Sequence, residues 1–344
     1  KAEELCGGIV ETLEQVQLEV NAARVEPAET VAEAMEKARE QGAQCVILLA
    51  GSGPASKWYY SAKDACLQET PPGLSHLASQ WVNLAKPSDH QRSSFTNMAL
   101  QICAKLGHTP YILEAKAGVD DSEEPLVMGI DVCHLVSEGS WKPEHIFACL
   151  MLQRSSGEVE ENWICQGKLE GESIPDDIWT SVLTKAACSG RKVVIHRDGR
   201  FTNQEVAFLK AHAEVVGAKD STFDLVEVVK YAGGTPRMYY GGENAPEGAF
   251  LRFSDTEGIL ATGYCRNGTR NPLLLRKVPG TGLAPIEEYA KDIYRLSQVS
   301  YGTLYATPRL PVTTKTADKA AYYHANSALG SLELLSQGRQ QYWL

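Results

Sequence analysis

The sequence is poor in three features that mark whole classes of proteins. No apolar run approaches the roughly 18 residues of a membrane span, and a typical run such as Cys45–Ala50 is short. The nine cysteines occur singly, without a Cys-x-x-Cys pair or zinc spacing, which indicates free thiols in a reducing compartment. With 33 Lys and Arg against 43 Asp and Glu, the formal charge is −10. Any nucleic-acid site therefore has to be local.

The amino-terminal segment also lacks the basic and apolar layout of a secretory signal. Together with the single cysteines, this predicts a cytoplasmic protein without a membrane segment. The chain starts at Lys1 without a methionine, which indicates that residues are missing upstream. The length of 344 residues predicts two domains.

The first third of the sequence alternates strand and helix patterns in the manner of an α/β unit. Strands are predicted at 16–25, 45–50 and 111–113, and helices at 28–41, 59–69 and 95–106. The strand at 45–50 runs into a glycine turn, a layout in which open α/β sheets bind ligands. The glycine turn alone does not complete a phosphate-binding motif, so a turn without a ligand remains an alternative interpretation.

An acidic, proline-containing stretch at 120–125 predicts a linker between a domain of residues 1–125 and one of residues 126–344. Strands are predicted first in the second domain, at 126–133, 145–153 and 163–169. A helix at 176–188 and a strand at 192–196 then begin an alternation of helices and strands. This order is expected of an RNase H-like mixed sheet.

Two acids stand at the ends of predicted central strands. Asp131 lies between Ile130 and Val132, and Asp198 ends the run Lys192–Arg197. A carboxylate inside such a strand is costly unless it is paired, hydrogen-bonded or bound to a cation. The two could share a pair of Mg²⁺ or Mn²⁺ ions, which prefer oxygen ligands. A satisfied turn acid and an Asp-Gly turn remain the plain alternatives.

Three segments resemble the PIWI domain of Argonaute proteins. They are GlyIleAspValCysHis at 129–134, HisArgAspGlyArg at 196–200 and ArgLeuProValThrThrLysThrAlaAspLys at 309–319. The resemblance implies that Asp131 and Asp198 are the first and third acids of a catalytic tetrad. It also implies that Asp318, in a helix-opening segment, is the fourth.

The second member of that tetrad is a glutamate on a mobile loop between the third strand and the first helix. Residues 167–175, GlyLysLeuGluGlyGluSerIlePro, occupy this place. Glu172 follows Asp131 by 41 residues, close to the family spacing, and is the predicted glutamate, with Glu170 as the alternative. The resemblance implies that it closes the site once a target is paired.

The first domain resembles the Argonaute MID domain, which holds the 5′ phosphate of a guide strand. The similar segments are 57–67, 79–82 and 97–107. They imply that the phosphate is bound by Tyr59, Lys63, Gln80 and Lys105. Two lysines can neutralise the phosphate, while the amide and the phenol supply directional hydrogen bonds.

The carboxyl terminus, GlnGlnTyrTrpLeu, resembles the aromatic-rich end that Argonautes pack against the MID pocket. In some prokaryotic members the terminal carboxylate ligates a metal at the guide phosphate. Gln101 stands where eukaryotic members have a lysine, so a bound cation could replace that charge. Leu344 is the candidate ligand, and a hydrophobic tail on the core is the alternative.

The resemblance implies a Rossmann-like MID domain followed by an RNase H-like PIWI domain with a mixed β-sheet. It implies a short 5′-phosphorylated guide, a complementary DNA or RNA target, and two Mg²⁺ or Mn²⁺ ions held by Asp131, Asp198 and Asp318. The length leaves no room for N and PAZ domains. The chain is then a short Argonaute, or these domains lie upstream or on a separate chain.

Two other functions stay open. A short Argonaute could bind guide and target without cutting and act through a partner protein, although four intact acids argue against inactivity. An RNase H-like nuclease outside the guided class would leave the tyrosine, glutamine and lysine set of the first domain unexplained.

Overall fold

The structure is a computed structural model of the chain. It describes residues 2–15, 18–21, 25–50, 77–83, 91–114, 125–135, 144–153, 156–165, 169, 171–186, 188–230, 236–263, 265, 269–302, 304–325, 334–341 and 343–344.

The chain divides into two compact units. The first unit comprises Lys1–Pro110, Tyr301–Tyr305 and Arg339–Leu344, and the second comprises Tyr111–Ser300 and Ala306–Gly338. The sequence predicts one crossing between domains, near residue 125. Of the described residues, the structure groups 111–114 with the second unit and 339–341 and 343–344 with the first.

Helices flank a short parallel sheet in the first unit. Its elements are α1 (Ala2–Gln15), α2 (Val31–Glu40), β1 (Cys45–Ala50), β2 (Ala78–Asn83) and α3 (Gln91–Lys105). Strands β1 and β2 pair in parallel, with Cys45 opposite Ala78. Buried Ile9 and Leu13 of α1 pack with Ile102 of α3.

Two short strands predicted for this part of the chain are wrong. The described residues of 16–25 form no strand: the amide of Leu18 donates to the carbonyl of Leu13 at the end of helix α1, and Leu18 and Val20 pack against the cluster formed by α1 and α3. Residues 111–113 are also outside any strand. They are held by isolated bonds instead, such as that from the Ser300 amide to the Tyr111 hydroxyl, 2.6 Å long.

A nine-stranded mixed sheet forms the second unit. Its strands are β3 (Leu126–Leu135), β4 (Glu144–Gln153), β5 (Val159–Cys165), β6 (Val193–Arg197), β7 (Phe223–Val229), β10 (Phe250–Arg252), β11 (Glu257–Leu260), β12 (Leu273–Lys277) and β13 (Leu334–Gly338), and a separate hairpin contains β8 (Tyr239–Tyr240) and β9 (Glu243–Asn244). The order across the sheet is β10-β11-β12-β7-β6-β3-β4-β5-β13. The predicted RNase H-like α/β fold is confirmed.

The centre of this sheet is parallel and its flanks are antiparallel. Strand β6 pairs in parallel with both β3 and β7, so the carboxyl ends of these three strands lie at one edge of the sheet. The helices are α4 (Asp176–Lys185), α5 (Asn203–Val215), α6 (Ile286–Ser297) and α7 (Val312–Ala325). Among the described residues, Trp163, Trp179 and Tyr289 are the largest fully buried side chains, and buried Phe147 meets Trp179 edge to face at 6.5 Å.

Helix α7 lies directly against β3 because Gly129 has no side chain. A Cβ atom there would lie 2.6 Å from the Cα atom of Thr313 and closer still to the carbonyl group of that residue. Backbone cannot yield as a flexible side chain can. The glycine therefore allows helix α7, which carries Asp318, to approach the strand that carries Asp131.

We expect Gly129→Ala to destabilise the protein by at least about 2 kcal/mol, the cost of overpacking a site that is closed by backbone. Urea unfolding measures the loss. Gly7→Ala in α1 is the matched control, because no described atom lies within 4 Å of its Cβ position. In a helix this exchange is expected to stabilise by about 0.5–1 kcal/mol. Equal unfolding free energies for Gly129→Ala and wild type would contradict the close approach.

Within the described ranges, the structure contains no helix that is long and apolar enough to cross a membrane.

Candidate functional site

Three carboxylates meet at the carboxyl ends of the central parallel strands. Asp131 lies in β3, and Asp198 follows β6 directly, where its amide donates to the carbonyl of Ile130 over 3.2 Å. Asp318 reaches the same place from helix α7. One oxygen of each residue lies within 4.8 Å of the others. The structure therefore brings together the three acids that the sequence singled out.

Burial and the neighbouring negative charges disfavour the charged forms of Asp131 and Asp198. Burial, together with the negative charges of Asp198 and Asp318, raises the pKa of Asp131 to about 8. Burial also raises the pKa of Asp198, although a hydrogen bond from Lys230 opposes that shift. A nearby positive charge favours the ionised forms of Asp131 and Asp198.

Lys230 supplies one such charge. Its Nζ atom lies 2.6 Å from Oδ2 of Asp198 and 2.8 Å from Oδ1 of Asp318. Burial lowers the pKa of Lys230, but the hydrogen bonds to the two aspartates outweigh burial and the net shift is upward. The lysine therefore stays charged, and its ammonium occupies a position between Asp198 and Asp318 at which the cluster could accept a cation.

The donor set fits a divalent metal ion. Carboxylate oxygens are the ligands that Mg²⁺ and Mn²⁺ prefer, and the ammonium of Lys230 marks the cluster as a place that attracts positive charge. Asp131, Asp198 and Asp318 could hold such an ion through one oxygen each.

Glu172 lies outside this cluster of three. Its side chain is 68% exposed, with Oε1 3.5 Å from Nε2 of His134. Its backbone carbonyl accepts a 2.8 Å hydrogen bond from Arg197. The segment that carries Glu172 is thus held by its backbone while the carboxylate faces solvent. Glu170, the alternative glutamate, lies outside the described residues.

A buried ion pair holds the backbone of residues 172–174, the segment that carries Glu172. Arg197, the last residue of β6, bonds Glu205 of α5 at 2.5 Å, and the Glu205 side chain is fully buried. The other bonds of Glu205 come from the amide of Ile174 at 3.0 Å and the amide of Thr202 at 2.7 Å. Thr202 and Glu205 also form the capping box that starts α5. The carboxylate of Glu205 therefore ties the segment that carries Glu172 to strand β6, which Asp198 follows.

Two residues of the predicted phosphate pocket meet in the first unit. The ammonium of buried Lys105 donates to Oε1 of Gln80 over 2.7 Å and to the carbonyl of Ser79 over 2.8 Å. Tyr59 and Lys63, the other two predicted residues, lie outside the described part of the chain.

The carboxyl-terminal segment is anchored beside Lys105. The amide of Gln341 donates to the carbonyl of Ala104, and the amide of Leu344 donates to the carbonyl of Gln341. Trp343 is buried. The last residues of the chain thus pack at the end of helix α3, next to the lysine that the sequence places in the pocket.

Sequence reasoning missed Lys230, Arg197, Glu205 and His134. Two signals were available. Lys230 directly follows the apolar strand β7, as Asp198 follows β6. The pattern Thr202-x-x-Glu205 before a helix is the signature of a capping box. Neither signal reveals that the lysine faces the acids or that the glutamate binds Arg197.

Comparison with known proteins identifies the family. The model of the Piwi domain matches residues 45–328, which is most of the chain. The Argonaute protein of Aquifex aeolicus is 27% identical over 268 residues, covering 76% of this chain and 35% of that protein. The chain thus spans about a third of the length of this relative.

Solved structures are similar over nearly all of the chain. Drosophila Piwi has a TM-score of 0.74 at 16% identity, covering 99% of this chain and 49% of that one. Clostridium butyricum Argonaute, solved with a guide DNA and a 19-mer target DNA, has a TM-score of 0.70 at 20% identity, covering 93% of this chain and 46% of that one. This protein belongs to the Argonaute family of Piwi-domain proteins.

Proposed function

We propose that the chain is the MID–PIWI module of an endonuclease that is directed by a nucleic-acid guide. The observation that carries this proposal is the cluster of Asp131, Asp198 and Asp318, whose oxygens lie within 4.8 Å of one another in a chain of the Argonaute family. A protein that only retained its target would not need three close carboxylates, which repel one another and favour protonation when buried.

The three aspartates would hold two divalent ions, Mg²⁺ or Mn²⁺, which when bound activate a water molecule and stabilise the leaving oxygen of a phosphodiester. Asp131 is buried and would hold the ions from inside the protein. The side chain of Asp318 is 39% exposed and would lie on the solvent side of the site. Cleavage by attack of water would leave a 3′ hydroxyl and a 5′ phosphate on the target.

Glu172 would complete the tetrad by turning its exposed carboxylate toward the aspartates. The segment behind it is fixed by Arg197 and Glu205, so a local rotation suffices. His134, 3.5 Å from the Glu172 carboxylate, can orient that side chain. Glu170 stays the alternative.

The first unit would hold the guide by its 5′ phosphate. Lys105 and Gln80 already bond each other, and we assign Tyr59 and Lys63 to the same pocket from the sequence. The carboxylate of Leu344 is the candidate ligand of a further metal ion there, since the end of the chain packs beside Lys105. By analogy with the Clostridium protein, which was solved with a guide DNA and a target DNA, this chain would bind one guide strand and one target strand. N and PAZ domains, upstream or on a separate chain, are candidate partners.

The experiment that tests this function crosses DNA and RNA guides with complementary DNA and RNA targets in Mg²⁺ or Mn²⁺. We expect one cut at a fixed distance from the guide 5′ end, with a 3′ hydroxyl and a 5′ phosphate at the break. A target that is bound but uncut in every combination would favour the non-cleaving Argonaute. Cutting that ignores guide sequence would indicate an unguided nuclease.

We expect Lys63→Ala to weaken binding of a 5′-phosphorylated guide by at least about tenfold, because a hydrogen bond to a charged group is worth roughly 1.5–3 kcal/mol. A 5′-hydroxyl guide is expected to lose less than twofold. Filter binding with labelled guides measures both losses. Lys37→Ala is the control, since Lys37 pairs with Glu33 on the exposed face of α2. Equal losses for the two guides would refute the phosphate pocket.

A further inference from the structure

Lys230 contacts the acid cluster, and the proposed cleavage leaves this lysine without a role. Its ammonium contacts two of the three carboxylates, at 2.6 Å and 2.8 Å. One oxygen of the third, Asp131, lies within 4.8 Å of an oxygen of each of the other two. Once all three carboxylates are ionised, one lysine compensates one of three negative charges and an excess of negative charge remains.

The backbone of Lys230 is fixed while its side chain has freedom to move. The residue follows β7, which is paired with β6 on one side and β12 on the other. Its carbonyl accepts a hydrogen bond from the guanidinium of Arg309, which also bonds the carbonyl of Pro272. The four-carbon stem of a lysine rotates freely, and this side chain is 27% exposed. The ammonium can therefore leave the cluster without a change in the sheet.

A divalent ion and this ammonium compete for the same oxygens. Mg²⁺ binds carboxylate oxygens at about 2.0–2.1 Å, whereas the ammonium now lies 2.6–2.8 Å from the oxygens of Asp198 and Asp318. Two cations bound to the same oxygens would lie close together and repel each other. Asp198 and Asp318 cannot keep their bonds to Lys230 while they ligate a metal through these atoms.

We propose that Lys230 is a resident counter-ion of the catalytic cluster, which holds Asp198 and Asp318 together before a divalent ion arrives and releases them when it binds. This inference rests on the metal site of the proposed function. Release of the lysine is then part of metal binding and weakens it, because only the fraction of molecules with the lysine displaced is competent to bind. The lysine would keep the cluster ordered in the absence of metal, and a higher concentration of the divalent ion would be needed to occupy the site.

The test measures Mn²⁺ affinity of the guide-free chain from the electron paramagnetic resonance signal of free Mn²⁺. We expect Lys230→Met to bind Mn²⁺ at least about fivefold more tightly than wild type, since the competing ammonium is gone. We expect the same variant to melt at a lower temperature in EDTA, where the carboxylates repel each other without a counter-ion. Saturating Mn²⁺ is expected to remove most of that difference.

Two further variants separate charge from packing. Lys230→Arg keeps the positive charge and is expected to bind Mn²⁺ no more tightly than wild type. Lys192→Met is the matched control, because Lys192 is 26% exposed and pairs with Asp224 at 3.2 Å, away from the cluster. Its Mn²⁺ affinity is expected to equal that of wild type. If circular dichroism shows that Lys230→Met does not fold, Lys230→Gln is used in its place and is likewise expected to bind Mn²⁺ more tightly than wild type.

Unchanged or weaker Mn²⁺ binding by Lys230→Met would overturn the role of Lys230 while leaving the metal site intact. A wild-type chain that binds no Mn²⁺ at millimolar concentration would overturn the metal site as well. Tighter binding by Lys192→Met would show a general effect of charge removal and would also overturn the proposal.

Discussion

Asp131→Asn lowers the rate of guided cleavage by at least about a thousandfold, or about 4 kcal/mol in activation free energy, and leaves guide affinity within about twofold. Asn keeps the size of the side chain and removes its charge, so the fold is retained while a metal ligand is weakened. Guide binding is assigned to the first unit and does not use Asp131. Single-turnover cleavage and filter binding measure the two quantities.

The control for lost charge is Asp255→Asn, since the Asp255 side chain is 97% exposed and lies in the turn between β10 and β11. This variant is expected to cleave at the wild-type rate. An Asp131→Asn protein that cleaves within tenfold of wild type would remove Asp131 from the catalytic set. A parallel loss of guide binding would show instead that the substitution damages the whole chain.

The same substitution changes how the metal-free protein responds to pH. The pKa of Asp131 rises from 3.8 to about 8 on folding, chiefly through burial. Between these values the folded state binds a proton that the unfolded chain has released, so the free energy of unfolding falls as pH rises. Asparagine cannot ionise, and Asp131→Asn is expected to gain stability over wild type from pH 5 to pH 8 in EDTA. Parallel pH profiles in thermal melts would contradict this.

The acid cluster was predictable because its members sit at features that a sequence displays. Asp131 interrupts an apolar strand and Asp198 ends another. The carboxyl ends of parallel strands meet at one edge of a sheet, so acids at two such ends come together. Asp318 was accessible only through the resemblance of residues 309–319, because an acid on a helix carries no signal of what it faces.

The rest depends on which strands become neighbours. Lys230 reaches the cluster because β7 pairs with β6, and strand order across a sheet is not written in the local pattern. The pair of Arg197 and Glu205 likewise requires that α5 start beside the end of β6. The prediction of a strand at 16–25 failed because its apolar residues pack as a non-strand segment: Leu18 and Val20 cover the cluster between α1 and α3, and a short apolar pattern does not show whether a strand partner is present.

Arg197→Met is expected to cost about 3–5 kcal/mol of unfolding free energy, the range for breaking a buried ion pair from one side. The Arg197 side chain is 4% exposed and that of Glu205 is fully buried. Without the guanidinium, the Glu205 carboxylate keeps only the amides of Ile174 and Thr202 as donors. Urea unfolding measures the loss. Arg252→Met is the control, since Arg252 is 54% exposed and such surface pairs are worth about 0–1 kcal/mol.

A second substitution distinguishes the contribution of Arg197 to the stability of the fold from its effect on the segment that carries Glu172. Adding Glu205→Gln removes the uncompensated charge and keeps an oxygen that can accept from the amide of Ile174. The double variant is therefore expected to recover at least about half of the lost stability, as replaced buried ion pairs often do. Cleavage is not expected to recover, because the carbonyl of Glu172 has lost its donor and its segment is held at one end only. A double variant that regains both stability and wild-type cleavage would mean that Arg197 only supports the fold. Recovery of stability without recovery of cleavage would mean that Arg197, at the end of β6, also positions the segment that carries Glu172.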